Sequence, residues 1–158
     1  MPPRAVVVTV SDRSARGERP DSSGPIAVEA LRLAGYTCDD AVVIPDGEQS
    51  VAQTLRALVT EGVDLVVTTG GTGVSPRDET PEGTASVLER EIPGIAEELR
   101  RRGVAEKPAA MLSRGRAGVA GSTMIVNLPG SSAAVRSGMP VVLSVASHVS
   151  DQLRGGDH

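Results

Sequence analysis

Aromatic side chains are nearly missing from this chain: it has one tyrosine, no phenylalanine and no tryptophan in 158 residues. A core must then be assembled from Ala, Val, Leu and Ile, which fill parallel sheets buried on both faces and the helices that cover them. The same lack removes the platforms on which single-stranded nucleic acids stack. A basic surplus is missing too. The formal net charge is -4, where nucleic-acid binders carry a positive excess, so no nucleic-acid partner is expected. Cysteine occurs once, at Cys38, so no internal disulfide forms, in keeping with a reducing compartment. Within Tyr36-Thr37-Cys38 the thiol reads as a small buried hydrophobe rather than a reactive group. The two histidines, His148 and His158, show no zinc-ligand spacing. No Gly-x-Ser-x-Gly elbow is present, so Ser-His-Asp catalysis has no support. No apolar run approaches the roughly 20 residues of a bilayer span, and Arg4 leads straight into a strand-like run without a signal core. A cytoplasmic protein with no membrane contact is expected.

What remains is a well-patterned α/β sequence. The length suits one domain over 1–158, large enough for a sizeable core. Ala5 to Val10 is a continuous β-branched run, the mark of a strand buried on both faces. Ser11 to Gly24 reads as a loop. A helix follows from about Pro25, capped by Ser22 or Ser23 and stopped at Gly35. Tyr36 to Ile44 reads as a strand and Glu48 to Glu61 as a helix with Val51, Leu55 and Leu58 on one face. Val63 to Thr69 is the clearest strand. This alternation predicts a three-layer α/β sandwich with a mostly parallel sheet and helices on both faces. Further helices are expected at Pro81 to Arg90, Gly94 to Arg102 and Lys107 to Arg114. Ala117 to Leu128 is strand-like with a break at Gly121, and Pro140 to Leu153 reads as a closing helix, with a strand as the alternative.

In an open parallel sheet ligands bind at the carboxyl ends of the strands, and the most unusual residues lie in the loops leaving those ends. Thr69-Gly70-Gly71-Thr72-Gly73 follows the clearest strand. Its glycines let main chain approach a ligand, and successive N–H groups make an anion-binding concavity suited to phosphate; a simple chain reversal is the other reading. Neither the P-loop ending nor the full dinucleotide spacing is present. Asp78 comes next, outside any helix-capping account, whereas Thr80 can cap a helix from Pro81 and Glu79 and Glu82 suit that helix's positive end. Asp46 reads as a turn residue before Gly47, yet adjacent strands would bring it to the same edge as Asp78. Two such carboxylates beside a phosphate loop could share Mg²⁺ on a nucleoside triphosphate. Ser11 and Asp12 leave the first strand and suit polar ligand groups or solvent equally. Gly130 follows Asn127-Leu128-Pro129, and Ser131 or Ser132 could cap the next helix, whose free N–H groups favour anions.

Taken together, Val66 to Gly73 followed by Pro76-Arg77-Asp78-Glu79-Thr80-Pro81-Glu82 resembles the hallmark segment of the molybdopterin-binding domain family. Val8 to Arg13, Asp21 to Pro25, Ile44-Pro45-Asp46, Met111-Leu112-Ser113-Arg114 and Asn127 to Ser131 match it in order, over nearly the whole chain. The length leaves no room for the extra domains of the longer relatives, so the short Mog and MoaB group is implied. That resemblance implies molybdenum cofactor biosynthesis by a nucleotidyltransferase. AMP passes from Mg-ATP to the terminal phosphate of molybdopterin and pyrophosphate leaves; the alternative is a non-catalytic molybdopterin-binding or carrier protein on the same fold. By similarity Asp46 and Asp78 are the catalytic, Mg²⁺-binding carboxylates, Gly70, Gly71, Thr72 and Gly73 cradle phosphate, and Ser113, Asn127, Gly130 and Ser131 line the pterin side. A homotrimer or homohexamer is implied, with a molybdenum insertase as protein partner. One departure stands out: the family usually continues with Pro and often a basic residue where this chain has Ser132 and Ala133. Arg114 and Arg136 are the expected substitutes for the missing charge.

Overall fold

A computed structural model describes residues 1–156 of the chain; His158 lies outside the described residues. The strands are β1 (Arg4–Val10), β2 (Thr37–Cys38), β3 (Val42–Ile44), β4 (Leu65–Thr69), β5 (Arg90–Glu91), β6 (Ala117–Ala120) and β7 (Thr123–Leu128). They form one sheet in the order β2-β1-β4-β7-β6-β5, with β3 also pairing β1. The pairs β1–β2, β1–β3, β1–β4 and β4–β7 are parallel. The β5–β6 and β6–β7 pairs are antiparallel. The helices are α1 (Asp12–Ala15), α2 (Ser23–Leu33), α3 (Glu48–Thr60), α4 (Thr80–Ala85), α5 (Pro93–Glu106) and α6 (Ser132–Leu153).

Strand alternation divides the core in two. Ala5, Val7, Leu65, Val67, Met124 and Val126 turn to one face, where α2, α5 and α6 supply Leu31, Ile95, Val135 and Met139. Val6, Val8, Val66 and Ile125 turn to the other, against Val51, Leu55 and Leu58 of α3. Each central strand is therefore apolar on both sides, the pattern of a sheet covered by helices. The expected α/β layering is what the chain adopts, without aromatic filler.

Several local expectations need correction. The segment Ser11 to Gly24 is not all loop: Ser11 caps the short α1, its Oγ accepting from the Ser14 N–H at 3.2 Å. Helix α2 starts at Ser23, and its first turn is tied by Asp21 Oδ1, which accepts from the Gly24 N–H at 3.0 Å, not by a serine. The expected strand Tyr36 to Ile44 is two short strands on the same side of β1. Helix α4 stops at Ala85, and Arg90 and Glu91 pair with Val119 and Gly118 instead of continuing it. Thr80 lies inside α4, and its hydroxyl donates to the Gly70 carbonyl at 2.9 Å rather than capping. A 3₁₀ turn covers Pro108–Leu112. The break at Gly121 is the turn of the β6–β7 hairpin. Helix α6 begins at Ser132, not Pro140, with Ser131 as its cap, accepting from the Ala134 N–H at 3.1 Å. Burial of Val135, Gly138, Met139 and Val142 on one side outweighs the cost of a proline within the helix, about 3 kcal/mol.

Candidate active site

The carboxyl ends of β1, β3, β4 and β7 meet along one edge of the sheet, where parallel α/β folds keep their ligand crevices. A cleft of about 320 Å³ opens there, lined by Ser11, Asp46, Gly70, Gly71, Asp78, Gly130 and Ser131 among others. Its floor is main chain. Gly70 donates its N–H to the Leu128 carbonyl at 3.0 Å, and a Cβ on Gly70 would sit 2.3 Å from the Val10 carbonyl oxygen. A Cβ on Gly71 would meet Thr80 Oγ1 at 2.2 Å and Asp46 Oδ1 at 3.1 Å. Only glycine lets three strand ends close this tightly around the cleft.

Asp46 and Asp12 are joined reciprocally. The Asp12 N–H donates to Asp46 Oδ2 at 2.9 Å, and the Asp46 N–H donates to Asp12 Oδ1 at 3.0 Å. Arg77 then forks onto Asp12, Nε to Oδ2 at 3.1 Å and Nη2 to Oδ1 at 3.2 Å, and reaches the Asp46 carbonyl at 2.9 Å. The guanidinium beside Asp12 holds that carboxyl below its usual range. Burial pushes the Asp46 carboxyl above its usual range, and the charges of Asp12 and Asp78 act in the same direction. Such a carboxylate gains from a cation. Asp78 closes a turn, its Oδ2 accepting from the Ser75 N–H at 3.1 Å. On its far side Arg114 donates to the Gly73 and Asp78 carbonyls at 2.8 and 2.7 Å and pairs with Glu82.

Asp46 and Asp78 thus share one cleft with the Gly70-Gly71 main chain. Among the described residues no group of three or more His, Cys, Asp or Glu could cage a metal. Two carboxylates without a cage suit Mg²⁺, which keeps waters and takes further oxygens from a phosphate substrate. The donor set therefore fits the ion expected from the sequence.

Residues 6–148 match the family model described as "Probable molybdopterin binding domain". The chain belongs to this family. It is 38% identical over 156 residues to the molybdenum cofactor biosynthesis bifunctional protein of Chlorobaculum tepidum, covering 99% of this chain and 50% of that protein; the chain spans half the length of this relative. It is 38% identical over 148 residues to the molybdopterin adenylyltransferase of Pyrococcus furiosus, covering 90% of this chain and 86% of that one. Among solved structures, the molybdopterin biosynthesis Mog protein from Mycobacterium ulcerans superposes with a TM-score of 0.92 at 43% identity, covering 98% and 99% of the two chains.

Within this molybdopterin-binding domain the remaining expected residues are dispersed. Asp12 stands behind Asp46, engaged by Arg77. Thr72 is buried, and its carbonyl accepts from the Arg114 N–H at 2.8 Å; Gly73 packs against Asp78, 2.9 Å from its Oδ2 were a Cβ present. Ser113 lies away from the cleft and, with Asn127, lines a small depression under α5 and α6. Asn127 is 3% exposed. Its amide donates to Thr68 and Thr84 hydroxyls, each at 3.0 Å, and accepts from the Arg116 N–H at 3.0 Å. Its polar groups are thus engaged inside the molecule as a strut. The expected substitute charges are also elsewhere. Arg114 is taken up by Glu82 and two carbonyls, and Arg136 lines a groove between α2 and α6. Arg19 is the cation that lines the cleft, and nothing in its polar loop sequence signals that. Thr9, Asp21 and Ser23 line it too.

Proposed function

We propose that the chain is a molybdopterin adenylyltransferase that uses Mg-ATP, working in molybdenum cofactor biosynthesis. The convergence of Asp46 and Asp78 on the cleft floored by Gly70 and Gly71 carries this reading, and the name of the Pyrococcus furiosus relative supports it. In the reaction an oxygen of molybdopterin's terminal phosphate attacks the α-phosphorus of ATP. A new P–O bond forms, the α–β anhydride bond breaks, and pyrophosphate leaves with its electron pair. The attacking phosphate is already ionised, so no strong base is needed, and catalysis rests on positioning and charge neutralisation. Bound Mg²⁺ supplies that neutralisation at the phosphate oxygens. Asp46 and Asp78 would hold the ion and the Gly70-Gly71 main chain would seat phosphate, with Gly130 and Ser131 lining the same cleft. The adenylylated product passes to a molybdenum insertase, a reading supported by the bifunctional relative of which this unit makes up half.

The test is pyrophosphate release on mixing the protein with molybdopterin and Mg-ATP, beside Asp46→Asn and Asp78→Asn. Release by the wild type alone is the expected result. Molybdopterin binding without release would instead assign a carrier.

A further inference from the structure

We propose that Arg77 is a positioning residue. It fixes Asp46 relative to Asp78 and so sets the cleft's affinity for a divalent cation carried on a nucleoside triphosphate. The inference rests on the transferase reading and deepens it. Arg77 precedes Asp78 in the chain, yet its guanidinium reaches across to the loops after β1 and β3. It binds the Asp12 carboxylate with both Nε and Nη2, and Nη2 also donates to the Asp46 carbonyl. Asp12 passes the constraint on through its two exchanged bonds with Asp46. A single side chain therefore stitches the Asp46 loop to the segment that carries Asp78. Arg114 holds the opposite flank, through the Gly73 and Asp78 carbonyls and Glu82, and its bonds do not reach the Asp46 loop.

Global stability does not explain the arrangement. The Arg77 side chain is 60% exposed and that of Asp12 23%, so even this forked pair adds little to folding, and lysine keeps the charge part of it. Magnesium, by contrast, demands near-ideal octahedral geometry from its ligands, so a small drift of Asp46 against Asp78 is costly there. The fork is also what lysine cannot reproduce. A point ammonium keeps the charge but does not span the Asp12 carboxylate and the Asp46 carbonyl with fixed geometry. Arg77→Lys therefore isolates position from charge.

The experiment is an electron paramagnetic resonance titration of Mn²⁺ with the α,β-methylene analogue of ATP. It compares the wild type, Arg77→Lys, Asp12→Asn and the double variant, with thermal midpoints recorded without ligand. The expected result is Mn²⁺ binding weakened about tenfold in Arg77→Lys, as for other groups that orient metal ligands, with the unliganded midpoint unchanged. The double variant should bind no more weakly than the poorer single variant, because both act through one linkage. Equal Mn²⁺ affinity in wild type and Arg77→Lys, or fully additive losses, overturns the positioning role alone. A wild type that binds no Mn²⁺ with the analogue overturns the transferase reading and this inference with it.

Discussion

Replacing Gly70 by alanine tests whether main chain really forms the floor of the cleft. Gly70 has φ +96°, a left-handed conformation that costs a residue with a Cβ about 1–2 kcal/mol. The new methyl would also lie 2.3 Å from the Val10 carbonyl oxygen, far inside van der Waals contact. Neither side yields easily. Val10 is held in β1 by its pairing with Ile44, and Gly70 is drawn toward β7 by its bond to the Leu128 carbonyl. Forcing extra volume into packed structure costs about 1–3 kcal/mol, so the sum is about 2–5 kcal/mol, a large share of a typical domain's stability. Gly62 is the control, because it has φ +75° but no atom within 4 Å of a Cβ. Gly62→Ala should show only the conformational part, about 1–2 kcal/mol. Urea unfolding followed by far-UV circular dichroism is the suitable assay, since no tryptophan is present and an unchanged slope verifies that midpoints report stability. Equal losses in the two variants would refute the close approach of β4 to β1 at this point.

Further outcomes are expected elsewhere. Asn127→Ala should destabilise the fold by about 3 kcal/mol, because Thr68, Thr84 and the Arg116 N–H each lose a partner worth about 1 kcal/mol, while Mn²⁺ affinity stays unchanged; unfolding midpoints and the same titration check both. The Arg114 guanidinium holds the Glu82 carboxyl below the usual glutamate range, which opens a window between the folded and unfolded titrations. In that window the unfolded chain binds more protons, so stability rises with pH. The pair's contribution is therefore complete well above the ordinary glutamate value of about 4.3 and fades as the pH falls through and below it. For so exposed a pair it is at most about 1 kcal/mol, and the gap between wild type and Glu82→Gln should close in acid. Burial pushes the Cys38 thiol up, so its reaction with a disulfide reagent should be slow in the native protein and fast in urea; a fast native reaction would contradict its buried placement.

The parts of the fold legible in the sequence were those where one periodicity dominates. Val6 to Val10 and Leu65 to Thr69 are apolar on both sides because helices cover both faces, and α3 shows a clean helical stripe. The parts that were not legible depend on distant pairing. Val87 and Leu88 extend a helical pattern beyond Ala85, yet the chain leaves the helix so that Arg90 and Glu91 can pair with β6. Pro140 looks like a helix start, but the apolar face from Val135 onward draws it inside α6. At the cleft, residue types gave Asp46, Asp78 and the glycine loop, since strand ends bring such loops together. The bonds of the Asn127 amide to Thr68 and Thr84 have no sequence signal, because an inward-facing amide and a ligand-facing one look alike until those two threonines are located. The reach of Arg77 to Asp12, 65 positions away, had no local signature at all.

The glycine floor also bears on how this site could diverge. A surface built of peptide groups carries no ionisable atom, so its polarity is the same in acid and at neutral pH. It also gives selection nothing to exchange, since a Cβ at Gly70, or at Gly130 where Gly70 Cα would lie only 3.2 Å away, meets neighbouring backbone. New ligand preferences must therefore be written on the walls, in residues such as Arg19 and Ser22, whose side chains can be swapped without reopening the junction of the strands.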